Sequence, residues 1–348
     1  MTNVFFIKNK HTPRRDNLID FLRGGAMILV LLHHCGFPLG KFILAFHMPL
    51  FFVISGYLNN HIKGYERPFK PYIKAKFKRL LIPYFAFEIL NLLIWCAKMI
   101  VEHKALPGIE SITSILTCIN NNYMGLYGRL WFLPCIFVAD IYVWIIVNHF
   151  RKKFSLILSV LFLFALSFIT VKIIPFRLPF TLDTALFAAA FILLGYCFSD
   201  IIKILLNKGN IAQKILLAIG ALLYLLYSVL YTDVSVYMYI NSYGEYTVSI
   251  CAAICGCIAF LILGSYIYIL ISKLRIINDF VLWYGKNSLA TFPVHLTIKM
   301  FLIWYFPSLS IWYTMFLIML LLNIPIVNVI TFYFPFILGC KYKNKTMV

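Results

Sequence analysis

Arg23 and His34 lie eleven residues apart inside an apolar run, Leu18 to Gly36, that is long enough to cross a membrane. Eleven helical steps of about 100° make roughly three turns, so both side chains share one helix face about 16 Å apart. An ionisable group in such a helix costs roughly 3 kcal/mol at the bilayer centre, and it normally turns toward the bundle interior or a wet cavity. The first helix is therefore expected to line a polar passage. His33 is turned about 80° to the other side of Arg23, so His34 is the histidine that satisfies the face argument.

The remainder of the chain reads as membrane. Hydrophobic residues make up 62% of the 348 and charged residues 12%, a balance that no soluble core of this size requires. Apolar runs of spanning length occur at 17–36, 42–60, 80–102, 130–150, 154–174, 182–202, 211–231, 247–272, 288–306 and 311–338. The expected fold is an all-α polytopic bundle of about ten transmembrane helices with both termini cytoplasmic. With that orientation 23 basic residues fall in inner segments and four (Lys41, Lys104, Arg129 and Arg177) in outer ones. The net charge of +19 thus needs no nucleic-acid partner, because anionic membrane lipid attracts inner-surface lysine and arginine. A secretory signal is not expected, since Arg23 interrupts the first run and no small-residue cleavage site follows. The nine cysteines sit mostly in apolar runs without metal-type spacing and read as small buried hydrophobes. The stretches 61–79, 103–129 and 232–246 read as polar connections, so one transmembrane domain is expected over 1–348, with no separate soluble domain.

Several segments carry candidate chemistry. In Phe46-His-Met-Pro-Leu-Phe-Phe-Val-Ile-Ser-Gly56, Pro49 frees a carbonyl, Gly56 permits close approach of a neighbour, and His47 lies near the outer end. Lys74-Ala-Lys-Phe-Lys-Arg79 puts four basic residues at a cytoplasmic helix entrance, where Lys78 and Arg79 suit phosphates; Arg14 and Arg15 lie on the same side. Arg129 and Trp131 open the fourth run on the outer side and suit a polar ring, and Asp183 begins the sixth. Trp283 to His295 leads into the ninth run, with Ser288 as an expected helix cap and His295 beside Pro293.

Taken in order, these segments resemble acyltransferase family 3, membrane proteins that O-acetylate bacterial surface and secreted polysaccharides. The resemblance rests on the Arg23–His34 spacing, Phe46 to Gly56, Arg79-Leu-Leu-Ile-Pro-Tyr84, Leu130-Trp-Phe-Leu133, the run from Asp183 to Gly195, and Tyr284-Gly-Lys-Asn-Ser-Leu289 with His295. The short turn after His34 is most similar to the fucose 4-O-acetylase-like branch. The resemblance implies acetyl-CoA as a cytoplasmic donor and a sugar hydroxyl of a capsule, O-antigen or exopolysaccharide as the outer acceptor, at a bacterial inner membrane, without a metal. It implies His34 as base, with Arg23 fixing an acyl-CoA group or an acidic partner such as Asp20. Arg14, Arg15, Lys78 and Arg79 are then expected at the donor, and His47, Arg129, Trp131, Asp183 and His295 at the acceptor. Some family members carry a fused SGNH esterase-like domain, and none is expected here. A histidine-lined passage also suits a polysaccharide exporter or flippase of the same fold, or a sensor or uptake module. The intact Arg23/His34 pair and the lack of internal repeats favour the enzyme.

Overall fold

The first helix begins where Asp16 accepts a hydrogen bond from the main-chain N–H of Leu18 at 2.9 Å. In the computed structural model, which describes residues 16–119, 130–207 and 209–340, this helix (α1) runs Asn17–His34. α2 spans Gly40–His61 with Pro49 inside it. α3 (Phe69–Lys76) passes through a single π turn, Phe77–Leu81, into α4 (Ile82–Val101). A short α5 (Ile109–Thr117) precedes α6 (Phe132–His149) and α7 (Lys153–Ile173). α8 (Leu182–Cys197), a short α9 (Ser199–Asn207) and α10 (Ile211–Tyr231) follow. The last helices are α11 (Tyr246–Ile271), α12 (Arg275–Lys286), α13 (Ser288–Tyr305) and α14 (Trp312–Tyr333).

Each of the ten expected runs contains a helix, and the run 182–202 is broken at Phe198 between α8 and α9. Among the described residues, eight helical stretches are long and apolar enough to cross a membrane. α1 and α13 are 18 residues each and are not among the eight. Their polar residues (Asp20, Arg23, His33 and His34 in one, His295 and Lys299 in the other) dilute the apolarity that lipid would demand, and both helices pack inside the bundle instead.

Two expected polar connections fold differently. Residues 69–79 are helical, because Phe69, Ile73, Phe77 and Leu80 give the basic segment an apolar periodicity that carries it into α4. The π turn has a local cause: Pro83 has no N–H for the Arg79 carbonyl four residues back, and Ile82 donates to Phe77 instead. Residues 232–246 hold a small antiparallel hairpin, β1 (Val234–Tyr237) with β2 (Ser242–Gly244). Its Tyr243 is buried and stacks on Phe187 of α8 at 4.1 Å.

α8 is the centre of the bundle, with every side chain from Asp183 to Leu193 buried. It meets α2 backbone to backbone. A Cβ on Gly56 would lie 1.9 Å from the Ile192 carbonyl oxygen, and one on Gly195 would lie 2.1 Å from that of Val53. α1 and α12 use the same device, Gly24 facing the Val281 carbonyl and Gly285 facing that of Asp20. These crossings fix α1, α2, α8 and α12 closely, and α13 follows α12 with one intervening residue, Asn287. The start of α1, the end of α2 and the lysines and arginines of 63–79 share one end of the bundle, the basic face. The turn after His34 and the β-hairpin share the other, the hairpin face.

Candidate active site

α1 and α13 run in the same direction, and α13 is the neighbour that both Arg23 and His34 meet. Arg23 lies 3.7 Å from the Asp20 carboxylate, and its Nη2 donates to Ser288 Oγ at 2.7 Å. Ser288 therefore does not cap α13 through its side chain as expected; its hydroxyl is the acceptor for Arg23. Two turns along α13, the His295 ring lies 5.1 Å from that of His34. The face argument for Arg23 and His34 thus corresponds to contact with a single helix.

A cavity of about 300 Å³ opens below this line on the basic face. Arg23, Arg67, Lys76 and Arg79 supply its cations, Ser55, Asn59 and Ser288 its neutral polar groups, and Met27, Ile54, Leu58, Phe132 and Phe292 much of its apolar wall. Tyr72, Ala75, Lys76, Arg79 and Leu80 line it at helical spacing, which is how the basic helix presents one stripe inward. Lys76 is fixed there by the fully buried Asp140 carboxylate at 2.6 Å, and Tyr65 donates to the same carboxylate at 2.8 Å. Burial, reinforced by the Asp140 charge, pushes the Tyr65 phenol well above its ordinary pKa and keeps it a donor.

The cavity ends against aromatic side chains. Phe292 packs on Phe132 at 5.0 Å and on His295 at 5.6 Å, so it touches the cavity on one side and the histidines on the other. Beyond it four imidazoles gather: His33 and His34 at 5.5 Å, His33 and His47 at 5.2 Å, His34 and His295 at 5.1 Å. His33 Nδ1 pairs with the Gly40 carbonyl at 3.2 Å, His47 Nδ1 with that of Ile43 at 2.7 Å, and His295 Nδ1 with that of Thr291 at 3.2 Å. A neutral ring that donates from Nδ1 presents Nε2 as a lone-pair acceptor. The Nε2 of His295 is buried and has no partner among the described residues. His34 is half-buried and, among the described residues, has ring neighbours but no hydrogen-bond partner. Among the described residues no group of histidine, cysteine and carboxylate side chains could hold a metal ion.

The other expected site residues distribute unevenly. Arg79 lines the cavity, whereas Lys78 is exposed and its carbonyl packs against Gly339. His47 is buried beside His33, on the far side of the cluster from the cavity. Trp131 is buried against Phe132, and it is Phe132 that reaches the cavity wall. Asp183 does not face a substrate passage: it is 1% exposed and clamped by Arg177 at 2.5 Å, and that arginine also binds Thr184 and the Tyr239 carbonyl of the hairpin. An intrahelical carboxylate that already has a two-point guanidinium partner serves to anchor the hairpin to α8. Arg14, Arg15 and Arg129 lie outside the described residues.

Arg67 and Lys299 carry no motif in the sequence, whereas Lys76 belongs to the basic run Lys74 to Arg79. Arg67 reads there only as inner-surface charge. Lys299 lies one turn beyond His295 on α13. The signal for it was the one applied to Arg23, a charged residue within an apolar run.

Residues 16–340 match the model of acyltransferase family 3, described as an acyltransferase domain. The chain belongs to this family. It is also similar to nodulation protein NolL of Mesorhizobium japonicum, with 27% identity over 178 residues, 47% of this chain and 44% of that protein. The chain thus matches less than half the length of that relative. No solved structure matches it. With the family and the apolar helices together, the chain is a multi-pass membrane member of acyltransferase family 3.

Proposed function

We propose that the protein moves an acetyl group from acetyl-CoA, bound at the basic face, to a sugar hydroxyl of a cell-surface polysaccharide or its lipid-linked precursor near the hairpin face. In this reading the membrane is the bacterial cytoplasmic membrane, and the basic face is cytoplasmic. The observation that carries it is the shared use of α13. Arg23 meets Ser288 at a cation-rimmed cavity, and His34 meets His295 just beyond the Phe292 barrier.

Arg67, Lys76 and Arg79 at the cavity suit the phosphates of coenzyme A, and the apolar wall toward Phe292 suits its pantetheine arm. His34, with an open ring nitrogen, takes the proton of the acceptor hydroxyl. The hydroxyl oxygen attacks the thioester carbonyl, the new C–O bond forms, the C–S bond breaks, and the coenzyme A thiolate recovers the proton. Arg23, always charged and held by Asp20 and Ser288, keeps a fixed positive charge at the donor end of this path.

The test is acyl transfer by the purified protein in lipid nanodiscs, followed as acceptor-dependent release of free coenzyme A thiol and as ester on the saccharide. Arg79→Ala is expected to weaken acetyl-CoA binding by about 1.5–3 kcal/mol, the usual loss for a hydrogen bond to a charged group, while Lys78→Ala has little effect. Equal binding by wild type and Arg79→Ala would remove the donor assignment. If no saccharide is acetylated and a deletion strain accumulates glycan on the cytoplasmic side, the protein is an exporter.

A further inference from the structure

Four lysines lie inside the apolar runs: Lys98, Lys172, Lys214 and Lys299. Lys98 pairs with Glu102, Lys172 sits over the Phe168 ring at 5.8 Å, and Lys214 over the Tyr266 ring at 5.9 Å. Lys299 is half-buried and has no carboxylate partner among the described residues. An unpaired ammonium in a low-dielectric wall is costly, and such groups persist where they meet an ion or a substrate. One turn away, the fully buried His295 also has a side-chain nitrogen, Nε2, without a partner. Two unmet polar groups therefore flank the spot where His34 would work on the acceptor.

We propose that Lys299, with His295 beside it, forms a subsite for an anionic group of the acceptor, so that the sugar chain modified is acidic. This rests on the acetyl-transfer reading above. The donor does not account for the lysine. Coenzyme A phosphates have Arg67, Lys76 and Arg79 at the basic face, and Lys299 lies eleven residues along α13 from Ser288, about 16 Å further into the hairpin half. A uronate carboxylate and a sugar phosphate share the required chemistry, and both can sit on the ammonium while a neighbouring hydroxyl meets His34.

The experiment uses the full chain in nanodiscs with acetyl-CoA and three oligosaccharides matched in length: neutral, uronate-bearing and phosphate-bearing. The wild type should favour one acidic acceptor in kcat/KM, and the arm it favours identifies the anion. Lys299→Gln should cut the acidic-to-neutral ratio about 10- to 100-fold, as expected for losing a charge-assisted bond, and Lys299→Arg should keep most of it. Lys172→Gln, on a lipid-side lysine, should leave the ratio unchanged. If Lys299→Gln lowers kcat alike on all three acceptors, the lysine serves the reacting centre and the subsite is overturned. A wild type that prefers the neutral acceptor overturns it as well. Saccharide binding without acetyl-CoA separates the two readings. If nothing is acetylated but the acidic saccharide binds the wild type tighter than Lys299→Gln, only the acetyl-transfer reading fails. Equal binding of acidic and neutral saccharides to the wild type would remove the subsite. Should Lys299→Gln fail to fold, free glucuronate or inorganic phosphate must inhibit neutral-acceptor turnover by the wild type competitively, and absence of that inhibition overturns the subsite.

Discussion

Three of the four clustered imidazoles are tied through Nδ1 to a main-chain carbonyl, and His34 is the exception. A ring with no hydrogen-bond partner can turn to meet a hydroxyl, whereas His33 holds the turn after α1 through Gly40. Removing a general base costs about 10²–10⁴ in rate. His34→Ala is therefore expected to abolish acetylation in cells at normal protein level, and His33→Ala to leave substantial activity. The opposite outcome would place the base on the wrong side of α1. At this scale Arg23, His34 and His295 were legible, because each is an ionisable residue in a run that lipid would reject. Lys299 carries the same signal, an ionisable residue within an apolar run. Asp183 was misread because its partner Arg177 is six residues away across an irregular turn, a contact that no periodicity reports. Ser288 was misread because a serine at a helix start has a local role by default, and the arginine that claims it is 265 residues distant.

Helix by helix, the site depends on two close crossings. α2 carries His47 and the cavity residues Phe51, Ile54 and Ser55, and its placement is set by Gly56 and Gly195 against α8. A methyl group added at either glycine meets a main-chain oxygen that cannot swing aside. Gly56→Ala should therefore destabilise the protein by about 1–3 kcal/mol, the range for overpacking a tight interface. Gly220→Ala on α10, where a Cβ meets nothing within 4 Å, is the control. The measurement is the thermal unfolding midpoint of each variant in detergent, and equal midpoints would mean that α2 and α8 can part without cost. Gly56 was legible as a place of close approach because it ends a motif beside a serine. The partner helix was not, since nothing in the run from Asp183 to Gly195 says which neighbour its glycine faces. The π turn was hidden for a different reason. Seven basic residues between 61 and 79 made the segment look solvated, yet Pro83 and the apolar stripe make it the first turns of a transmembrane helix.

For the whole molecule, the separation of a cationic cavity from a histidine cluster matters only if the two lie toward opposite sides of a membrane. The basic residues argue for that orientation: they crowd the face where Arg67, Lys76 and Arg79 line the cavity, while the face with the hairpin has few. Two exposed positions report the two faces, Glu66 at the end of the α2–α3 connection and Ile240 at the hairpin. Among the nine cysteines, all free, only Cys251 and Cys340 are exposed, so a background with both replaced by serine has little competing reactivity. In intact cells a membrane-impermeant maleimide is expected to label Ile240→Cys directly and Glu66→Cys only after permeabilisation. The consequence reaches the chemistry. Acetyl-CoA is a cytoplasmic thioester, so a basic face turned outward would leave Arg79 with no donor to hold and His34 on the same side as the coenzyme pool. The reversed labelling pattern would then remove transfer across the bilayer from the mechanism, while the contacts of Arg23 and His34 with α13 would still have to be explained by a reaction confined to one side.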